Sequence, residues 1–183
     1  MKKSGIKVLT TAMAILMALA TFGAMFLTMM AMIDRSGDRL MDIVLVVKVL
    51  VSLFGTYYLA VGFSKEKGAE LFKAYLWSYA AACVCLFLNE AARASTAAIV
   101  VGVAQFAALC ILAVAKDLGE VKSKLLGAFV TVLALVQTVI QIRLAGEVTA
   151  ETCMGYVIDV VLGLSVFVLI CAKYAEKKAR GRK

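Results

Sequence analysis

The 183-residue chain is 63% hydrophobic with a mean hydropathy of +0.96, yet it carries 20 Lys and Arg against 12 Asp and Glu, a formal net charge of +8. Soluble domains are roughly 45–50% apolar with charge spread along the chain, whereas here the charges bunch into short clusters between long uncharged runs. That pattern excludes an ordinary soluble fold, a disordered chain and a disulfide-stapled secreted domain, and it predicts an all-α polytopic membrane protein.

The first uncharged run, 8–33, is 26 residues long. Signal-peptide cores are only about 7–15 residues, so the run is expected to be a retained helix despite the basic Met1-Lys2-Lys3 start. The following runs are 40–63, interrupted by Asp42 and Lys48, 71–88 with Lys73 in its first turn, and 96–115. The last two are 125–142 and 152–172, the latter interrupted by Asp159. Together they predict one six-helix transmembrane domain over 1–183. The connections of six to nine residues make neighbouring helices antiparallel hairpins. An echo of about 54 residues, Leu59-Ala60-Val61 against Leu112-Ala113-Val114, fits three hairpins and equally the plain length of two spans plus loops.

Lysine and arginine set the expected orientation, because cytoplasmic loops retain positive charge. With the amino terminus inside, the inner segments hold fifteen basic residues and the outer ones four, Arg35, Arg39, Arg93 and Arg143. Both termini are then cytoplasmic, in a cytoplasmic (inner) membrane. The net charge follows from topology, not from a nucleic-acid partner; membrane lipid is the partner it implies, the Lys173–Lys183 tail lying near anionic headgroups. Tyr57, Tyr58, Phe63, Tyr75, Trp77 and Tyr174 are expected at the inner interface, where amphipathic rings collect.

The absences are chemical. There is no histidine, so Ser-His-Asp and Cys-His nucleophile systems, bis-His haem and His-ligated zinc are excluded. There is no proline to kink a span. Cys83, Cys85, Cys110, Cys153 and Cys171 form no C-x-x-C pair and read as small thiols in or beside apolar runs. Met13/Met17 and Met25/Met29 have a spacing seen in soft-metal paths but equally suit apolar filling. No enzyme, cofactor or metal is expected.

Charge within a membrane helix costs about 2.5–3.5 kcal/mol on insertion scales, so it usually faces a partner. Lys48 lies eight residues in from the outer end of its run and Asp159 seven, both roughly 10–12 Å deep. Equal depth and opposite sign predict an interhelical pair. Gly155 and Gly163 flank Asp159, and Ser52 and Gly55 flank Lys48, faces smooth enough for close helix approach. Gln105, Gln137 and Gln141 lie at similar depth, with Asp42, Asn89 and Glu90 at the outer mouth. The set reads as a pocket in the outer half for a small polar or zwitterionic solute, with Lys48, Asp159, Gln105, Gln137 and Gln141 as binding residues. Glutamines in membrane helices also simply bond to neighbouring helices. On that alternative the polar groups only lock packing in a structural or accessory protein, with homo-oligomers among its forms.

Helix one contains two A-x-x-x-A steps, Ala14 to Ala18 and Ala20 to Ala24. With six helices, both termini inside and outer-half polar residues, the chain resembles the substrate-binding S-component of an energy-coupling-factor vitamin transporter. The resemblance implies that Ala14, Ala18, Ala20 and Ala24 dock on a transmembrane coupling subunit served by ATPases, and that a solute is captured in the outer half. The chain contains no nucleotide-binding loop, which also assigns any energy source to another chain. The three-hairpin pattern equally resembles the acid-resistance HdeD family, which implies the structural or accessory role.

Overall fold

A computed structural model describes residues 3–34, 43, 46–47, 49–51, 53, 68–92, 95–115, 118–145 and 149–180. Among the described residues the helices are α1 (Lys3–Asp34), α2 (the described positions 43, 46–47, 49–51 and 53), α3 (Gly68–Ala92), α4 (Thr96–Val114), α5 (Glu120–Ala145) and α6 (Ala150–Arg180). Among the described residues there is no strand. Several helices overrun the apolar runs that predict them: α5 begins five residues before 125, and α6 continues eight beyond 172. Hydropathy marks the part of a helix that lipid requires to be apolar. The backbone ladder continues into the charged ends, because Glu, Lys and Arg are good helix formers.

Local chemistry sets two starts. The Ser95 hydroxyl accepts from the Ala98 N–H at 3.4 Å and caps α4. Thr149 and Thr152 cap α6 reciprocally. The Thr152 hydroxyl accepts from the Thr149 N–H at 2.9 Å, and the Thr149 hydroxyl from the Thr152 N–H at 3.3 Å. This is a capping box with threonine in the place usually taken by glutamate.

Consecutive helices α3, α4, α5 and α6 pack as neighbours, as short connections require, and α1 returns to lie on α6. That seats α6 between α1 and α5 and makes it the most enclosed of the three long apolar helices, with 50% of its window buried against 28% for α5. On α1 the buried stripe is Met13, Met17, Ala20, Ala24 and Leu27, alternating steps of four and three that keep one seam facing the bundle. The opposite face carries Leu19, Phe22 and Phe26, with Phe22 71% exposed.

Helices α5 and α6 approach closely. The Thr131 hydroxyl of α5 donates to the Gly163 carbonyl of α6 at 2.8 Å. A Cβ built on Gly163 would sit 2.5 Å from the Ala134 Cβ, so only glycine admits this approach. The flanking glycines of Asp159 therefore differ, since a Cβ on Gly155 meets no described atom within 4 Å.

Three helices, within 96–114, 120–144 and 152–175, are long and apolar enough to cross a membrane. Large apolar side chains on the outer faces of α1, α4 and α5 stand exposed, among them Val100, Val121 and Leu125. A water-facing surface rarely carries so continuous an apolar cover. This is the architecture of a membrane protein.

Candidate functional site

Helix α3 turns one stripe inward: Phe72, Tyr75, Leu76, Tyr79, Ala80 and Cys83 are all buried. Two of its members are tyrosines, whose hydroxyls need partners once removed from water. The Tyr75 and Ser165 hydroxyls hydrogen-bond each other. Both also reach the Leu162 carbonyl, at 3.3 Å from Tyr75 and 2.6 Å from Ser165, which ties α3 to α6. The Gln105 amide of α4 donates to the Tyr79 hydroxyl at 2.9 Å. The two tyrosine rings are tilted neighbours with centroids 6.3 Å apart.

Asp159 is partly buried on α6 and lies within electrostatic reach of Tyr79 and Cys83. Cys110 of α4 in turn lies within reach of Cys83. A polar layer thus crosses the bundle through α3, α4 and α6 inside otherwise apolar packing.

Gln137 of α5 is buried to 6% exposure, and among the described residues neither its Nε2 nor its Oε1 has a hydrogen-bond partner. The α5–α6 register fixes its depth. Thr131 meets Gly163, and the Tyr156 hydroxyl reaches the Gln141 carbonyl at 3.4 Å, so Gln137 lies opposite the α6 turn that carries Asp159. Gln141 is half-buried one turn further on.

Of the residues that sequence reasoning assigns to a pocket, the structure thus brings Gln105 and Asp159 to one tyrosine and sets Gln137 at Asp159's level. Lys48, its pairing with Asp159, its neighbours Ser52 and Gly55, and Asp42 lie outside the described residues. So do Tyr57, Tyr58 and Phe63, and the side chains of Asn89, Glu90 and Cys85.

Two expectations need correction. Tyr75 is not an interfacial aromatic: it is 0% exposed, because its position on the α3 stripe aims it at the small side chain of Ser165. Trp77, two residues on, is the exposed ring of that turn. On α1, Ala20 and Ala24 are buried in the chain's own bundle, where Gly23 beside them meets Met154 and Ile158 of α6. Ala14 packs, partly buried, against the same core, and Ala18 is half-buried further round the helix. The four alanines form no single open surface, since Ala18 and Ala20, two residues apart, point about 160° apart around the helix. Met13 and Met17 are core, while Met25 and Met29 are exposed, so the methionines line no common path.

Sequence reasoning missed Tyr79 and Ser165 as members of the polar layer. The signal was available for the tyrosine: Phe72, Tyr75, Leu76, Tyr79 and Cys83 share the three-and-four spacing of a buried face. No comparable pattern marks Ser165.

A second concavity lies at the lysine-rich end, where α3 and α5 start and α4 and α6 finish. It holds about 40 Å³, open on one side, and is lined by Phe72, Leu112, Ile170, Lys173 and Tyr174 among others. Tyr174 closes its base by donating to the Leu118 carbonyl at 2.7 Å, with its oxygen 2.9 Å from the Ser123 hydroxyl. Among the described residues no group of three His, Cys, Asp or Glu is arranged to hold a metal.

No known family model matches the chain, and no curated protein or solved structure is significantly similar to it.

Proposed function

We propose that the chain is a small-solute-binding subunit of a membrane transport system, with a polar site in the outer half of the bundle. The observation that carries this reading is Gln137. An amide buried without hydrogen bonds costs about 1–3 kcal/mol by protein mutational data, so a donor–acceptor pair held unpartnered beside the Asp159 turn suits a ligand that supplies the missing bonds. Gln105, already bonded to Tyr79, and Asp159 complete a set fitted to a neutral or zwitterionic solute. Lys48 is the cation proposed for that site, and Gln141 borders it.

The topology that goes with this reading is six spans in a prokaryotic cytoplasmic membrane, both termini inside, as the fifteen-to-four distribution of basic residues favours. Energy would come from a transmembrane coupling subunit with ATPases. Ala18 is the part of the alanine face left for it.

A second reading has its own observation. The Tyr75–Ser165 and Gln105–Tyr79 bonds are satisfied within the chain and tie three helices together. A structural or accessory membrane protein, as a homo-oligomer, needs no more than that.

Native mass spectrometry of protein gently extracted from its own membrane separates the two. A stoichiometric small molecule that disappears in Gln137→Leu, with folding retained, supports the binding subunit. A monomer or homo-oligomer carrying only lipid, unchanged by the substitution, overturns it.

A further inference from the structure

Gly155 of α6 is a glycine that helix packing does not use. A Cβ on Gly23, Gly127 or Gly163 would touch a neighbouring helix, whereas a Cβ on Gly155 meets no described atom within 4 Å. Yet Gly155 lies on the inward side of α6. Gly155, Asp159, Leu162, Val166 and Leu169 follow at steps of four, three, four and three, the spacing of a single helix face, and Leu162, Val166 and Leu169 are buried. The inward stripe of α6 is therefore packed from Leu162 onward and open at Gly155.

The α5–α6 register sets the glutamines across from this opening. The Tyr156 hydroxyl donates to the Gln141 carbonyl at 3.4 Å, so Gly155 is level with Gln141, and one turn deeper Gln137 is level with Asp159. Gln137 and Gln141 stand four apart on α5, as Gly155 and Asp159 do on α6, so each pair shares a face. The buried Gln137 amide, with neither end partnered among the described residues, thus adjoins the open part of the stripe.

The amide itself selects the occupant. Its Nε2 carries two donors and its Oε1 two acceptor lone pairs, side by side in one plane. An ammonium satisfies only the oxygen and a carboxylate only the nitrogen. An adjacent N–H and C=O, the edge of a lactam or a primary carboxamide, bonds both at once. A charged head would also need a counter-charge once buried, and Asp159 apart, the polar side chains described around it, Gln105, Gln137, Gln141 and Tyr79, are neutral. Building on the binding-subunit reading, we propose that the solute is a small neutral amide or lactam whose N–H and C=O pair with the Gln137 amide and whose body occupies the space at Gly155. Gly155 then sets the size of solute that the site admits.

The test uses the full chain in detergent, freed of bound solute, and reads 2-pyrrolidinone binding as a concentration-dependent rise in melting temperature. N-methyl-2-pyrrolidinone, which lacks the N–H, should bind about tenfold more weakly, the loss expected of one stranded hydrogen bond. Gly155→Leu should abolish the response to both, because its side chain takes the place of the solute. Without solute its melting temperature should stay at or above that of the unsubstituted protein, leucine being the better helix former. Val157→Leu, at an exposed position on the far side of α6, should respond as the unsubstituted protein does.

Equal responses to the two lactams would overturn the paired-edge assignment, and a response to zwitterionic alanine in their place would overturn it in favour of a charged solute. A response lost in Gln137→Leu but kept in Gly155→Leu would overturn the role of Gly155 and leave a solute site at Gln137 standing. No response to any of the three overturns the inference. Native mass spectrometry then decides the broader reading separately, which stands if protein from its own membrane carries a solute lost in Gln137→Leu and falls if it carries none.

Discussion

The Gln105 amide of α4 and the Tyr79 hydroxyl of α3 meet at 2.9 Å, both buried, within electrostatic reach of Asp159 on α6. One bond therefore joins a hairpin to itself while facing the helix that closes the bundle. Removing either member strands the other in an apolar interior. Tyr79→Phe and Gln105→Leu are each expected to destabilise the protein by about 1 kcal/mol, between the average for membrane-helix bonds and the cost of a stranded partner. The double variant should lose no more than the worse single one. Unfolding in mixed micelles gives the three values, and simple additivity would mean that the bond is absent in solution.

The glycines of α6 should respond in opposite directions. Gly163→Ala drives a methyl to within 2.5 Å of the Ala134 Cβ, an atom that cannot rotate away, and displaces the carbonyl that Thr131 bonds. Overpacking of this kind costs about 1–3 kcal/mol. Gly155→Ala meets nothing described within 4 Å and should gain up to about 1 kcal/mol from helix propensity. Gly127→Ala should fall between them, because the atom it meets at 2.6 Å is the mobile end of Ile170. Melting temperatures in one detergent rank the three. A destabilised Gly155→Ala beside a neutral Gly163→Ala would reverse the assigned α5–α6 contact.

Gln137 separates stability from binding. With no solute present, Gln137→Leu removes a buried donor and acceptor that no described residue satisfies and should raise stability by about 1–3 kcal/mol. Polar groups retained against such a gain are commonly functional, a stability cost kept for activity. The measurement is unfolding of delipidated, solute-free protein. A loss of stability on substitution would show that the amide is satisfied in solution.

Hydropathy legibly encodes the helices because lipid imposes a length and a composition on each span, and the run starting at Thr96 coincides with the start of α4. The site was only half legible, for a physical reason. Glutamine or aspartate in an apolar run is conspicuous at any depth, so Gln105, Gln137 and Asp159 stand out in the sequence. Tyrosine is amphipathic and equally at home at an interface, so Tyr75 near Lys73 reads as a belt residue until its helical face is considered. What its hydroxyl bonds to, Ser165 from ninety residues away, is a property of how α6 docks and leaves no mark in either local sequence. The alanines of α1 mislead for a related reason: a small residue permits close approach but does not say whether the approaching helix belongs to the same chain.

Tyr174 is the remaining test, because it holds the α4–α5 connection against α6. Its hydroxyl bonds to the Leu118 carbonyl and to Ser123, and the Ser123 hydroxyl reaches that same carbonyl at 3.3 Å. The first ladder bond runs from the Ser123 N–H to the Gly119 carbonyl, so the Leu118 carbonyl lies one residue outside the ladder and is bonded by these hydroxyls instead. Tyr174→Phe keeps the ring in the wall of the concavity and deletes only the tether. The expected cost is about 1 kcal/mol of stability, concentrated as faster amide hydrogen exchange over 118–124 while exchange in the α3–α4 hairpin stays unchanged. Ser123→Ala should have a smaller effect in the same segment, because Tyr174 still reaches Leu118. Uniform acceleration across all helices in Tyr174→Phe would mean that the tyrosine supports the whole bundle and not the connection alone.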